Sequence, residues 1–480
     1  LTKKSKGSWI VCKFGGFSVA TPGNWRNICD IVAKHLAEGK MVLLVCSAIQ
    51  GVTNQLEAAI DAAVHDLDFQ DRLLKITETH QKLAASLGLD CSDLIGVHLE
   101  RLESILKACS LCGDRPELRA QALAHGELMS TSLGAAFLVK SGLPAHWFDA
   151  RKMLIDRERS VVNGPRYYFG AQCHDDPDDA LEQRLEQMGS LLVTQGFIAS
   201  TPSGETALLG RGGSDTSAAY FAAKLSAERL EIWTDVPGMF TANPHHVANA
   251  RIIKQISYAE AEVLAATGAK VLHPRCVAPV RKNGIPIYIK CTELPEVPGT
   301  VITETTIGGE AQGICALTAR KNLFLVSART GQQDHLEVLV KIMSYIRDHD
   351  IHVDSFSSGN GRVLIVVDPL ISHVDISELE AMFKDDRWLK LHIQQGISSI
   401  SLVGHMTSKL YGALGRIFSI MDPTRLLSLG NITGMDVTIL LDYSDIEELV
   451  LQIHNKLLEK NQECEIFGST WTEIQTLSKR

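Results

Sequence analysis

No apolar stretch in this chain approaches the ~18 uninterrupted residues of a membrane span, so a helical membrane protein is not expected. A long basic run is missing too. Lys and Arg number 47 against 56 Asp and Glu, a formal charge of −9, which makes nucleic acid or an anionic membrane a poor candidate for main partner. A small anionic ligand stays open, because a pocket needs only a few local cations. Zinc spacing is also lacking: the 11 cysteines are scattered, and the close pair Cys109 and Cys112 has no companion pair. Free thiols in a reducing compartment fit that pattern. The opening LTKKSKGSWIVCKFGG is basic but has no apolar stretch of about 7–15 residues, as a secretory signal would, so the expected location is cytoplasmic. Residue 1 is Leu, which leaves a processed form, a fragment or an unusual start codon open.

What is present is ordinary globular material, 45% apolar and 21% charged over 480 residues. At about 150 residues per domain this suggests roughly three domains. Up to about residue 300, short β-branched runs alternate with helical patterns. Strands are expected at 9–14, 41–45, 191–194, 230–233 and 285–289, and helices at 24–38 and through most of 56–138. Met41-Val42-Leu43-Leu44-Val45 is apolar throughout, as in a strand buried on both faces of a parallel sheet. The alternation predicts a layered α/β domain over 8–300. Residues 291–313, rich in Gly and Pro, mark a boundary. Beyond it a β-α-β-β-α pattern occurs twice, over 313–392 and 393–462. Each copy is ferredoxin-like in element order and too small to bury much surface alone. The first copy includes strands at 323–326, 351–356 and 363–367 and helices at 334–348 and 376–383. The second has strands at 397–403, 426–429 and 437–441 and helices at 407–421 and 444–458.

Six segments of the first domain carry candidate chemistry. Leu209-Gly210-Arg211-Gly212-Gly213-Ser214-Asp215 lies between a strand and a helix. Its glycines let backbone N–H groups approach an anion, the helix N-terminus adds positive potential, and Arg211 offers a fork for a carboxylate or phosphate. Asp215 would hold a metal or orient a lysine. Lys13-Phe14-Gly15-Gly16-Phe17-Ser18 lies at a strand's carboxyl end, where open α/β sheets bind ligands. It is not a Walker loop, since GxxxxGK[ST] occurs nowhere in the chain. Ser47-Ala48-Ile49-Gln50-Gly51-Val52-Thr53 is a further strand-end loop. In His125-Gly126-Glu127-Leu128-Met129-Ser130, Glu127 interrupts an apolar helical stretch; if buried it demands a cationic partner, a substrate ammonium or an internal Arg, and otherwise it is simply exposed. Trp233-Thr234-Asp235-Val236-Pro237-Gly238-Met239-Phe240 ends a strand near an aromatic. In Gly268-Ala269-Lys270-Val271-Leu272-His273-Pro274, His273 reads as a packed structural histidine. No Ser/His/Asp triad and no metal-ligand cluster is evident.

Taken together, KFGGFSV, VCSAIQGVTN, HGELMS, LGRGGSDTSA, IWTDVPGMFTANP and GAKVLHPR resemble an aspartate kinase of the amino acid kinase fold, followed by paired ACT regulatory domains. The likeness runs over roughly residues 8–460 and is nearest the monofunctional, lysine-sensitive type. It implies a three-layer α/β/α catalytic domain and phosphorylation of L-aspartate by ATP with Mg²⁺, the first step toward lysine, threonine and methionine. It also implies site roles. Lys13 would contact the transferring phosphate, with Asp215 orienting it. Arg211 would clamp the substrate α-carboxylate and Glu127 its ammonium, with Ser47, Thr53 and Ser214 around the substrate. Gly15, Gly16, Ser18, Thr234, Asp235, Phe240 and Lys270 would surround ATP. An effector amino acid, lysine first with threonine or none as alternatives, would meet Arg329, Gln332, His335, Leu336, Val353, Asp354 and Ser358. ACT sites of this type form between subunits, which implies a homodimer or larger homo-oligomer. Phe17 stands where the family usually has Thr, and Asn243-Pro244-His245 where it has Asp-Pro-Arg. Losing that Arg removes a permanent cation, and His245 is only partly charged at neutral pH, so weaker ATP binding is expected. Two competing readings remain at this point: a kinase for another acid or a nucleotide, and a catalytically weak amino-acid sensor of the same fold.

Overall fold

The computed structural model describes residues 8–157, 165–269, 271–305, 313–329, 335–348, 351, 353–359, 361–369, 390–404, 409–430, 434–458 and 465–477. The chain forms two units. The first comprises residues up to Met239, Ile252–Gly309 and Glu465–Arg480; the second comprises Phe240–Arg251 and Glu310–Cys464.

The first unit is built on an eight-stranded sheet. In spatial order its strands are Ala145–Trp147, Leu191–Gln195, Met41–Cys46, Trp9–Phe14, Arg229–Thr234, Ile287–Cys291, Thr300–Thr303 and Gln255–Ser257. The first six run parallel. Their near-continuous apolar runs follow from burial on both faces: every residue of Val42–Cys46 and Leu191–Gln195 is buried. Trp9–Phe14 has Met41–Cys46 on one side and Arg229–Thr234 on the other. The chain order therefore reverses at this strand, which places a ligand crevice at its carboxyl end.

Aligned residues of parallel neighbours share a face. Phe14 and Trp233 pair in register and stack with centroids 5.9 Å apart. Cys12 and Glu231 share that face, where His35 of helix Pro22–Ala37 meets them. Lys13 lies on the other face, toward helix Gly213–Lys224. Helix Pro22–Ala37 starts with the Thr21 hydroxyl accepting the Asn24 N–H and with Pro22 at its first turn, and the chain leaves it through Gly39 at φ +75°. Its Trp25 is wholly buried, donates from Nε1 to Val19 O at 3.0 Å, and meets Phe137 edge-on. Gly134, on helix Pro116–Lys140, lies under that indole, so a Cβ there would enter the ring's van der Waals envelope. Gly134→Ala would gain up to about 1 kcal/mol of helix propensity, but the pinned indole cannot retreat. Overpacking should win. A net loss of about 1–3 kcal/mol is expected, read as a lower denaturation midpoint.

The second unit contains one six-stranded antiparallel sheet. Its order is Val353–Gly359, Arg362–Val367, Ile314–Arg329, Lys390–Gly404, Asp436–Leu441 and Leu426–Gly430. The two central strands are long, and each serves both repeats. Ile314–Arg320 pairs with 399–404, and 398–403 of that strand pair with Asp436–Leu441; the later part of Ile314–Arg329 pairs with Arg362–Val367. The strands of the two repeats occupy opposite halves of the sheet, and Ile314–Arg320, which precedes the first repeat along the chain, pairs with a strand of the second. On one face, Ile342 of helix His335–Asp348 packs on Val326, Ala328, Ile351, Val363, Ile365 and Val367. Segment Phe240–Arg251 is tied into this unit: Leu317 N–H donates to Thr241 O at 2.8 Å, and the Thr241 hydroxyl bonds His454 Nε2 at 2.8 Å. The helix expected at 376–383 lies outside the described residues.

Candidate active site

The loops that leave the carboxyl edge of the large sheet are knitted together by backbone bonds. Ser47 N–H donates to Phe14 O at 3.0 Å, Gly196 N–H to Cys46 O at 2.9 Å, and Gln50 N–H to Gly16 O at 3.2 Å. A Cβ on Gly16 would stand 2.9 Å from Ala48 O, and one on Gly196 2.6 Å from the Ser214 Cβ. These glycines exist because neighbouring loops come that close.

In this frame Lys13 Nζ lies 2.6 Å from Asp215 Oδ1, with both side chains about 12% exposed. Asp215 occupies the first turn of helix Gly213–Lys224, where a carboxylate also faces the helix dipole. Beside it, the Ser47 hydroxyl donates to Ser214 Oγ at 2.9 Å. Ala48 N–H donates to Glu127 Oε1 at 3.2 Å, while Glu127 Oε2 is buried with no hydrogen-bond partner among the described residues. Burial pushes the Glu127 carboxyl up to about 8, and the Ala48 N–H offsets only part of this. A buried acid with one oxygen left over is a receptor for a cation.

The glycine-rich loop is held from behind. Gly210 and Gly212 have φ of +75° and +64°, and a Cβ on Gly212 would collide with the His273 ring. His273 Nδ1 accepts the Arg275 N–H at 3.3 Å. Arg275 Nη1 donates to Leu209 O at 2.6 Å and Nη2 to Ala171 O at 3.4 Å. His273 therefore packs structurally, as its sequence setting suggested. Arg211 is exposed on the same loop, and Thr53 lies in the first turn of helix Val52–Val64.

The amino acid kinase family profile matches residues 8–291. The lysine-sensitive aspartokinase 3 of Escherichia coli (strain K12) is 30% identical over 467 residues, covering 94% of this chain and 99% of that protein. The chain belongs to the aspartokinase family. Its structure is similar to that of E. coli aspartokinase III in complex with aspartate and ADP, the R-state, with TM-score 0.78, 29% identity, and 93% and 99% of the two chains covered. The same enzyme in complex with lysine and aspartate, the T-state, gives TM-score 0.73 at 29% identity, covering 94% and 99%.

Within the aspartokinase frame the sequence-derived residues divide. Lys13, Gly15, Gly16, Ser47, Glu127, Ser214 and Asp215 form one connected set through the contacts above; a Cβ on Gly15 would lie 3.4 Å from Lys13 Nζ. Thr234 ends strand Arg229–Thr234 and the exposed Asp235 follows it, with the Thr234 hydroxyl donating to Asp235 Oδ1 at 2.9 Å. Two expected ATP contacts have buried side chains. Ser18 is fully buried, donating to Trp233 O at 3.3 Å and accepting from the Thr292 hydroxyl at 2.7 Å, so it supports the loop from below. Phe240 is buried as well. Lys270 lies outside the described residues. Phe17 is half-buried, and Asn243 Oδ1 accepts the His245 N–H at 3.0 Å in an exposed turn.

Sequence reasoning missed three contributors: Gly196, Arg275 and the Ala48 N–H. A glycine directly after the buried strand Leu191–Gln195 was the available signal for the first. A buried cluster behind the site was missed as well. Glu231 accepts from Arg229 Nε at 2.7 Å, Trp233 Nε1 at 3.0 Å and His35 Nε2 at 3.1 Å, with Cys12 Sγ at 3.6 Å. Burial alone would raise its carboxyl, but His35 and Arg229 outweigh it and hold it at about 2. Although Cys12, His35 and Glu231 have metal-ligating atoms close together, the carboxylate is saturated by donors and reads as an internal ion pair.

In the second unit, a cavity of about 490 Å³ opens on the sheet face formed by Leu325, Leu364, Val366, Leu427 and Leu440. Val353 and Asp354 of the expected effector set line it. Arg329, Leu336 and Ser358 do not: all three are exposed, Leu336 at 64%. Gln332 and the His335 side chain lie outside the described residues.

Proposed function

We propose that this chain is an aspartate kinase, moving the terminal phosphoryl group of ATP to the β-carboxylate of L-aspartate to give 4-phospho-L-aspartate. The observation that carries the reading is the buried, half-partnered Glu127 joined through Ala48, Ser47 and Ser214 to the Lys13–Asp215 pair. Glu127 Oε2 receives the substrate ammonium, and Arg211 at the loop receives the α-carboxylate as a bidentate fork. Lys13, held by Asp215, neutralises charge on the transferring phosphoryl group, and the 210–213 turn offers backbone N–H groups.

The acceptor carboxylate is already ionised at neutral pH, so positioning and charge neutralisation carry the catalysis without a general base. Thr234 and Asp235 serve the nucleotide side. Mg²⁺ would be held by one or two of this chain's carboxylates together with the nucleotide and would supply charge neutralisation. Its hard-oxygen preference fits Asp215 or Asp235 and not the thiol and imidazole of Cys12 and His35. Lysine is the proposed effector, meeting Asp354 and Val353, in a homodimer or larger homo-oligomer built through the ACT-like repeats.

The test is ATP-dependent hydroxamate formation across candidate acids, with and without lysine. Turnover with aspartate, little with glutamate, and a fall on adding lysine are expected. Nucleotide binding with no turnover on any acid would favour the sensor reading instead.

A further inference from the structure

Asp354 sits where the pairing of its strand slips: Val353 faces Val367 and Ser355 faces Val366, which leaves Asp354 outside the ladder. Its nearly buried carboxylate forms an ion pair with Arg320. Arg320 also sits at an irregularity, the register shift between Arg320 and Leu323 in the long central strand. Its side chain is largely buried, and its Nε has no hydrogen-bond partner among the described residues. Asp354 is the sole ionisable side chain among the described residues lining the 490 Å³ cavity, whereas Arg320 is not a lining residue. The guanidinium thus reaches the carboxylate from outside the space a ligand would fill.

We propose that Arg320 is an internal competitor for the Asp354 carboxylate, weakening the cavity's hold on an ammonium-bearing amino acid. The inference rests on the effector reading given above and deepens it. An apolar cavity with one buried carboxylate attracts a cation strongly, because charges interact at low effective dielectric there. With the guanidinium in place, Asp354 is already neutralised. A lysine, net +1, then gains little attraction and meets a like charge behind the carboxylate. Without Arg320, the buried carboxylate loses its guanidinium partner, a costly change that a ligand ammonium relieves. Occupancy by Arg320 acts as a tax on affinity: if the carboxylate is available in a tenth of molecules, binding is about tenfold weaker than it would otherwise be.

The experiment is calorimetric titration of the full chain with lysine, comparing wild type with Arg320→Met, Arg320→Lys, Asp354→Asn and the Met/Asn double variant. Arg320→Met should bind lysine about tenfold or more tightly than wild type. Arg320→Lys, which keeps the charge, should stay close to wild type. Asp354→Asn should abolish binding in both backgrounds. If Arg320→Met binds no more tightly than wild type while Asp354→Asn abolishes binding, the competitor role is overturned and the effector reading stands. If Asp354→Asn leaves binding intact, or no variant binds lysine, the effector reading itself fails and takes the inference with it. Should Arg320→Met not fold, Arg320→Gln serves the same comparison with a polar, uncharged side chain.

Discussion

Lys13→Met should lower kcat by about 10³-fold or more, while the affinity for ATP changes far less. Removing one preorganised electrostatic donor from a site of this kind costs about 10²–10³, and losing a full cation from a phosphoryl-transfer site costs about 10³–10⁵. Lys13 sits between those cases as a compact charge on a strand end, pinned 2.6 Å from Asp215. Asp215→Asn should then be damaging without touching the transferred group, because it leaves the ammonium undirected. The two changes should be far from additive, with the double variant little worse than Lys13→Met, as for residues that act as a unit. Lys13→Arg should not rescue: the guanidinium is broader, and there is little spare room beside Gly15, where a mere Cβ would already touch Lys13 Nζ at 3.4 Å. Steady-state kinetics and ATP titration of the four proteins decide the matter. Full additivity, or a Lys13→Met variant with near-normal kcat, would remove Lys13 from the chemistry.

The sheet was legible because Val42–Cys46 and its neighbours are buried on both faces, a demand that writes itself as an unbroken apolar run. The loops that hold the site were legible for a similar reason. A glycine cluster carrying Arg and Asp has few purely structural explanations. What could not be read were partnerships between distant segments. Nothing local to Arg275 says that it will bond the carbonyl of Leu209, and nothing local to Arg320 points to Asp354. The long strand Ile314–Arg329 was recognised only over 323–326. Its middle, Arg320-Lys321-Asn322, breaks the apolar alternation, and Asn322 takes a left-handed φ of +59° next to the register shift. That stretch is a bulge in the pairing with Lys390–Gly404.

Glu127→Gln is expected to weaken aspartate binding by roughly 100-fold, because a desolvated charge-assisted bond is replaced by a neutral one. The pH dependence is the sharper readout. In the unliganded protein the Glu127 carboxyl is raised from 4.5 to about 8, so at pH 7 it is mostly protonated. A substrate ammonium against Oε2 favours the ionised form, so binding must expel that proton. Aspartate affinity should therefore rise with pH, by up to about tenfold per unit below 8, and level off above it. Glu127→Gln should be flat across that window. Calorimetry in buffers of different ionisation enthalpy should count close to one proton released per aspartate at pH 7 for the wild type and none for the variant. Stability without ligand follows the opposite course. The folded protein holds the Glu127 proton more tightly than the unfolded chain does. The stability this contributes is complete below about 4.5 and is lost as pH rises through about 8. Above that pH, unliganded Glu127→Gln should melt higher than wild type while losing most of the stabilisation that aspartate provides. An aspartate affinity independent of pH, or a variant stabilised by aspartate as well as the wild type, would mean that the ammonium binds elsewhere.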